Sequence, residues 1–231
     1  MSSHVLDHVV RESLNAAPHA RFAQRHGQAV RYLPDVAPFA ALDNPDDPQA
    51  WADAAELVGS EGQVCFPGVE EYPPGWTVLM SLPAIQLTGE AVRPQPDPEA
   101  VRLGPGDVEE ILDLVARTEP GPFLRRTVEL GTYLGLRRDG KLIAMTGERM
   151  RPPGWTEISA VCTDPAYRGH GLASRLIRAV TAVVVDRGEA PFLHAVAANT
   201  NALRLYESLG FRPRRPVAFT VAKPPQRAEA A

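Results

Sequence analysis

The segment "VCTDPAYRGHGLASRLIRAVTAVVVDRG" (161–188) restricts the fold of this chain more than any other. Apolar residues at 172, 173, 176, 177, 180, 183 and 184 mark a helix with one buried stripe. The run before it, "WTEISAVCT", reads as a strand, and "APFLHAVAA" after it reads as a buried strand. Between the first strand and the helix lies a turn with Gly169 and Gly171 around His170, and Arg168 in front. Two glycines allow unusual φ angles and close approach, a helix N-terminus favours negative charge, and Arg168 adds a fixed cation. Such a turn fits an anion, often a phosphate, although a tight turn with no ligand fits it equally. It is not a P-loop, because no Lys-Ser/Thr follows the last glycine, and Ser174 stands where a dinucleotide fingerprint has its third glycine.

The elements around this unit give an α+β class with a mixed, mostly antiparallel sheet flanked by helices. "VRLG" is a short strand, and "PGDVEEILDLVAR" (105–117) has apolar residues at 108, 111, 112 and 115, a helical spacing. "TYLGLRRDGKLIAMTGERM" is a hairpin turning at Asp139-Gly140, "RPPG" leads into the next strand, "TNALRLYESLG" is a short helix ended by Gly210, and "FRPRRPVAFTVA" closes the sheet. Upstream, "DPQAWADAAELVG" (47–59) reads as a helix capped by Asp46 or Asp47, among the strand-like pieces "AVRYL", "GQVCFPG" and "GWTVLMSLPAIQL". The Pro-rich stretch 91–102 reads as a domain seam, dividing 1–92, an α/β region without a motif, from 93–231.

Charge divides at the same place. Residues 1–92 carry 4 Lys and Arg against 12 Asp and Glu, a balance of −8, and 93–231 carry 20 against 16, a balance of +4. The basic half suits an anionic ligand; its charges are scattered and accompany no nucleic-acid motif. Cys65 and Cys162 are far apart and in no CxxC pair, so they read as reduced buried thiols, and no metal site is expected. No apolar run approaches the roughly 18 residues of a membrane span. The start "MSSHVLDHVV" is unlike a secretory signal, so a cytoplasmic location is the default expectation.

Arg168-Gly169-His170-Gly171-Leu172-Ala173 resembles R/Q-x-x-G-x-G/A, the pyrophosphate loop of the GNAT (Gcn5-related N-acetyltransferase) superfamily. "ANTNALRLYESLGF" (198–211) resembles its second hallmark, N-x-x-A-x-x-L-Y-x-x-x-G-F, at Asn199, Ala202, Leu205, Tyr206, Gly210 and Phe211. The resemblance covers about residues 93–220, and "LIAMTGERMRPPGWTEISAVCT" is similar to the branch of the glycine N-acyltransferase C-terminal domain. In that reading residues 1–92 resemble a degenerate half-GNAT domain, on their strand–helix–strand order alone.

The resemblance implies acetyl-CoA or another acyl-CoA as co-substrate, an amine acceptor, and a monomer or homodimer. The backbone of Val161, Cys162 and Thr163 would pair with the pantetheine amides as an added strand does. Arg168, Gly169, His170, Gly171, Leu172, Ala173 and Ser174 would hold the pyrophosphate, with Asn199, Asn201 and Tyr206 contributing from the second motif. Asn199 fits a helix N-cap equally well. Tyr206 stands at the family's general-acid position and also fits an amphipathic core residue.

For the base, Glu148 and Glu157 come face to face if Arg151 pairs with Gly154. Two adjacent carboxylates would raise one pKa toward neutrality. Each also fits a carboxylate that is solvated or paired with an arginine such as Arg149. His194 on the following strand is a third candidate, and a packed core histidine is the plainer reading of it. No nucleophile is evident, since Cys162 lies in the binding strand without an obvious His partner, so direct attack in a ternary complex is expected. A CoA-thioester-binding sensor without turnover is the alternative.

Overall fold

The computed structural model describes residues 4–226. In chain order its elements are helices α1 (Val9–Asn15) and α2 (Ala17–Ala20), strands β1 (Ala23–His26), β2 (Ala29–Tyr32) and β3 (Ala40–Leu42), helix α3 (Pro48–Val58), and strands β4 (Val64–Pro67), β5 (Thr77–Thr88) and β6 (Val101–Leu103). Then follow α4 (Val108–Thr118), β7 (Tyr133–Arg138), β8 (Lys141–Glu148), β9 (Trp155–Thr163), α5 (Leu172–Asp186), β10 (Ala190–Val196), α6 (Thr200–Leu209) and β11 (Arg212–Lys223). Local rules account for several boundaries. Asp47 caps α3 by accepting from Gln49 N at 2.9 Å, with Pro48 at the first helical position. Asn199 caps α6, its side-chain oxygen accepting from Ala202 N at 3.1 Å.

The main sheet has eight strands in the order β4-β11-β5-β10-β9-β8-β7-β6, and β1-β2-β3 form a second sheet of three. Only β9 and β10 pair in parallel within the main sheet. This is the mixed, mostly antiparallel α+β architecture expected from the pattern.

The division at residue 92 does not describe this sheet. Strand β5, from the first 92 residues, lies between β10 and β11 and pairs with both. The Pro-rich stretch is tied down as well: Gln95 N donates to Arg178 O at 3.1 Å, and Arg175 on α5 grips Asp97 at 2.7 and 2.9 Å. The acidic N-terminal part forms a layer on one face of the sheet. Leu6, Val10, Leu14, Phe22, Tyr32 and Phe39 share a core with Leu130, Met150 and Phe192. Helices α5 and α6 cover the other face, where Ile177, Val180, Tyr206 and Leu209 pack with Leu87, Ile158 and Leu193. Phe192 and Leu193 thus point to opposite layers, as the two-residue period of a strand requires.

The β8–β9 connection differs from expectation by one residue. Trp155 N donates to Pro152 O at 3.0 Å and Gly154 has φ +77°, so the turn is centred on Pro153-Gly154. Proline followed by a positive-φ glycine is the order of a type II turn, and proline cannot supply the positive φ that a tight hairpin centred on Pro152-Pro153 would need. That turn moves the register by two residues, and a bulge takes one back: Arg149 N donates to Glu157 O at 3.0 Å and Glu157 N to Met150 O at 2.8 Å, so two residues face Glu157. Glu148 therefore lies opposite Ile158, and Glu148 and Glu157 fall on opposite faces of the sheet.

Candidate active site

Strands β9 and β10 pair only where Trp155–Glu157 meets Ala190–Phe192. Beyond that point they diverge. On its other edge β9 carries one extra residue against β8, between Ser159 and Cys162, and Ala160 takes φ +52° there. A non-glycine residue in that region costs of order 1 kcal/mol and marks a bulge that re-aims the strand. A cavity of about 360 Å³ opens at the divergence. Ile158–Val161 of β9, His194 and Val196 of β10, Tyr206 of α6 and Arg149 line it, together with Phe39, Cys65, Met80, Leu82 and Phe219. It therefore reaches both layers, and a large share of its wall comes from residues 1–92, in which no sequence signal marks a site.

Strand β9 runs on through Thr163 to the glycine turn. Asp164 opens the turn by accepting from Ala166 N at 3.0 Å, and Arg168 Nε donates to Thr163 O at 3.3 Å. Gly169 and Gly171 have φ +82° and +73°, and a Cβ built on either would meet nothing within 4 Å. The glycines are thus demanded by the backbone conformation, and the space above them is open. Gly171 is the N-cap of α5 and makes no side-chain cap bond, so the first N–H groups of the helix have no side-chain acceptor there. His170 is exposed with Nδ1 3.2 Å from Tyr167 O, Leu172 is buried, and Ala173 and Ser174 are half-buried. A pyrophosphate fits this cradle: open amides at a helix start with the exposed Arg168 alongside.

Tyr206 is buried, lines the cavity, and its hydroxyl makes no hydrogen bond among the described residues. Burial pushes the phenol up to about 12, so it stays protonated at neutral pH. Asn199 spends its side-chain oxygen on capping α6, and Asn201 is exposed on the first turn of that helix.

The two candidate carboxylates are not a coupled pair. Glu148 accepts from Arg187 Nη1 at 2.9 Å and does not line the cavity. Glu157 takes both Arg149 Nε at 2.9 Å and Nη2 at 2.6 Å, and lies 2.7 Å from His194 Nδ1. Burial pushes the Glu157 carboxyl up, but the charge and hydrogen bonds of Arg149, and the bond from His194, prevail and hold it at about 2. For Glu157 the expected rise toward neutrality is therefore replaced by a fall, because Arg149 and not a second carboxylate is its close partner.

His194 is locked into one tautomer. Gln86 Oε1 accepts from Arg214 Nη1 at 2.7 Å and Gln86 Nε2 donates to Leu6 O at 2.9 Å, which fixes the amide orientation. The second amide hydrogen then points at His194 Nε2, 3.1 Å away, so Nε2 accepts and Nδ1–H donates to Glu157. Gln86, Arg214 and Arg149 carry no motif in the sequence; only the tertiary fold brings them together. Cys65 also faces the cavity, with its thiol pushed up by burial to about 12, and Cys162 is buried with its thiol raised by burial. Neither is a ready nucleophile at neutral pH.

These ionisations set an acid limit on stability. His19 is buried, with Nδ1 2.9 Å from Tyr32 Oη and Nε2 2.9 Å from Leu130 O, and burial holds it at about 4 against an ordinary 6.5. The unfolded chain therefore takes up this proton first, and stability falls as pH drops from 6.5 to about 4. The Glu157 carboxyl, depressed from 4.5 to about 2, removes more over that lower range. Denaturant midpoints should decline stepwise from pH 6.5 to 2; a midpoint constant between pH 7 and 4 would contradict the His19 assignment.

Residues 133–219, from β7 into β11, match the family model described as FR47-like protein. A solved structure described as a GNAT-family acetyltransferase from Novosphingobium aromaticivorans is 42 % identical, with TM-score 0.87 over 96 % of this chain and 99 % of that one. N-alpha-acetyltransferase RimI of Mycobacterium tuberculosis is 32 % identical over 130 residues, half of this chain and 81 % of that protein. A GCN5-related N-acetyltransferase from Kribbella flavida, 18 % identical, shares the fold with TM-score 0.62 over 94 % of this chain and 95 % of its own. The chain belongs to the GNAT family of acetyltransferases. Its first 92 residues are part of the shared architecture, since the 42 % identical structure matches nearly the whole chain. Among the described residues no helix is long and apolar enough to cross a membrane.

Proposed function

We propose that this protein is an N-acetyltransferase that moves the acetyl group of acetyl-CoA, or a related acyl-CoA, directly to an amine. The observation that carries this reading is the cavity at the β9–β10 divergence, lined by both Tyr206 and His194 and reached along β9 from the open glycine turn. The name of the RimI relative, an N-alpha-acetyltransferase, agrees with an amine acceptor. The likeness to the glycine N-acyltransferase branch and the cytoplasmic setting belong to this proposal too.

In the proposed mechanism the amides and Arg168 of the turn hold the pyrophosphate, and the β10-facing edge of Val161–Thr163 aligns the pantetheine arm. When bound, the co-substrate supplies an acyl carbon activated as a thioester. His194, which lines the cavity, takes the proton of the incoming ammonium at Nε2, the ring nitrogen that carries no hydrogen in its locked tautomer. Glu157, behind it, steadies the resulting imidazolium and acts as a positioning residue. Gln86 must yield its N–H contact at Nε2 for that transfer. Tyr206 donates a hydrogen bond to the departing sulfur as the C–S bond breaks and the N–C bond forms. Glu148, held by Arg187 away from the cavity, is given a structural role.

Following thiol release from acetyl-CoA with a broad amine panel tests the reading. CoA binding without release for any amine would favour a sensor. The turn is tested separately by Gly171→Asp. Aspartate tolerates φ near +73° better than most residues, so the fold should persist. Its carboxylate would meet the pyrophosphate at a few ångströms, a repulsion of about 1–4 kcal/mol, and acetyl-CoA affinity should fall about fivefold or more. Gly171→Asn, with the same shape and no charge, should lose much less. Equal affinities for acetyl-CoA in wild type and Gly171→Asp would remove the pyrophosphate from this turn.

A further inference from the structure

The cavity wall contains one permanent charge. Arg149 lines it with an 11 % exposed side chain, while its partner Glu157 is wholly buried behind it at 0 %. A ligand in the cavity therefore meets the cation and not the anion. A guanidinium has two edges that can each grip a carboxylate with two parallel N–H bonds. Glu157 occupies the edge formed by Nε and Nη2. The other edge, Nη1 with the second N–H of Nη2, remains, and Nη1 has no hydrogen-bond partner among the described residues. The plane is held in place by Phe39 and Phe219, whose ring centroids lie 4.9 and 5.8 Å from Cζ. An ion pair this deeply buried is often no more stable than an apolar pair of equal volume, so stability alone does not explain an arginine with an unused edge on a cavity. The rest of the wall is largely apolar, with Leu82, Ile158, Val161 and Val221.

We infer that the free edge of Arg149 is a carboxylate-binding subsite, and that the amine acceptor is an amino acid or similar amino-carboxylate with an apolar side chain. The inference rests on the reading of the cavity as the acceptor site. The charges balance: a zwitterion enters with no net charge, its carboxylate docks on Arg149, and its ammonium proton passes to His194 Nε2. The freed nitrogen lone pair then forms the N–C bond as the C–S pair leaves with sulfur, and the second proton shed by the acylated nitrogen goes to that thiolate, giving the amide and CoA-SH. The site's total charge does not change through these steps.

Calorimetry on the CoA-saturated protein tests this without turnover, using leucine against isopentylamine and phenylalanine against phenethylamine. Each pair differs only by the carboxylate. The amino acids should bind about 10- to 100-fold tighter, the usual range for a charge-assisted bidentate contact. The double variant Arg149→Gln/Glu157→Gln, which avoids an orphaned buried carboxylate, should erase that preference. Equal binding within each wild-type pair, no binding of either amino acid, or an acid preference that survives the double variant would each overturn the subsite. If the double variant fails to fold, the wild-type ratio decides. Amino acids that bind with this preference but are not acetylated, while other amines are, would overturn the acceptor assignment; no acetylation of any amine would refute the acyl-transfer reading instead.

Discussion

Tyr206→Phe is expected to lower kcat about a hundredfold while acetyl-CoA affinity and thermal stability stay nearly constant. The substitution keeps the ring, its packing beside Ile158, Leu193 and Leu209, and its edge-on contact with Phe211 at 6.0 Å. It removes only a hydroxyl that has no protein partner to lose among the described residues. The size follows from acidities. A thiol titrates near 8.5, so the leaving thiolate is tolerably stable by itself. A phenol held at about 12 is a weaker acid than that thiol, so complete proton transfer is uphill and in the proposed mechanism the hydroxyl would work mainly as a hydrogen-bond donor to the developing charge. Acid catalysis contributes about 10²–10⁴, and a leaving group this good calls for the lower end, about 2.7 kcal/mol of barrier. Wild-type kcat in the Phe variant would assign Tyr206 to packing.

His194→Asn should have a comparable or larger effect of a different kind. Asparagine can keep a donor near the Nδ1 position for Glu157 but offers no Nε2 to take a proton. The expected loss in kcat is about 10²–10⁴ near neutral pH. Glu157→Gln should act through both neighbours. It leaves Arg149 buried without its anion, which costs about 3–5 kcal/mol of stability, and it withdraws support from the imidazolium. Wild-type kcat in His194→Asn would move the base elsewhere.

The turn and both helices around it were legible because each is set by residues within a few positions. The Gly169–Gly171 spacing, the stripe of α5 and the Asn199 cap are all local. The α+β class followed from the order of such pieces. The pairing of Glu148 with Glu157 failed because a hairpin register depends on the turn and on any bulge beside it: the turn at Pro153-Gly154 shifts the register by two, and the extra residue at Arg149-Met150 returns it by one, a net step of one. One such step sends a side chain to the other face, and here it separated a supposed catalytic pair into two arginine-bound carboxylates. The seam at 91–102 misled for a related reason. Proline content reports local stiffness, whereas the insertion of β5 between β10 and β11 is a contact between residues more than 100 positions apart, as His194 opposite Gln86 illustrates. Arg149 was legible as a partner for a carboxylate, being eight positions from Glu157 across one hairpin. Phe39, Gln86 and Arg214 stayed hidden on the same ground as β5: their meeting around His194 is tertiary throughout.

The central claim is that the β9–β10 divergence brings a thioester between Tyr206 and His194. A crystal structure of the protein soaked with CoA tests it most directly. The account predicts pyrophosphate oxygens on the amides from Gly169 into the start of α5, the pantetheine arm along Val161–Thr163, and the sulfur about 3–3.5 Å from Tyr206 Oη. CoA bound with its pyrophosphate away from that turn, or with its sulfur outside the cavity lined by Tyr206 and His194, would contradict it.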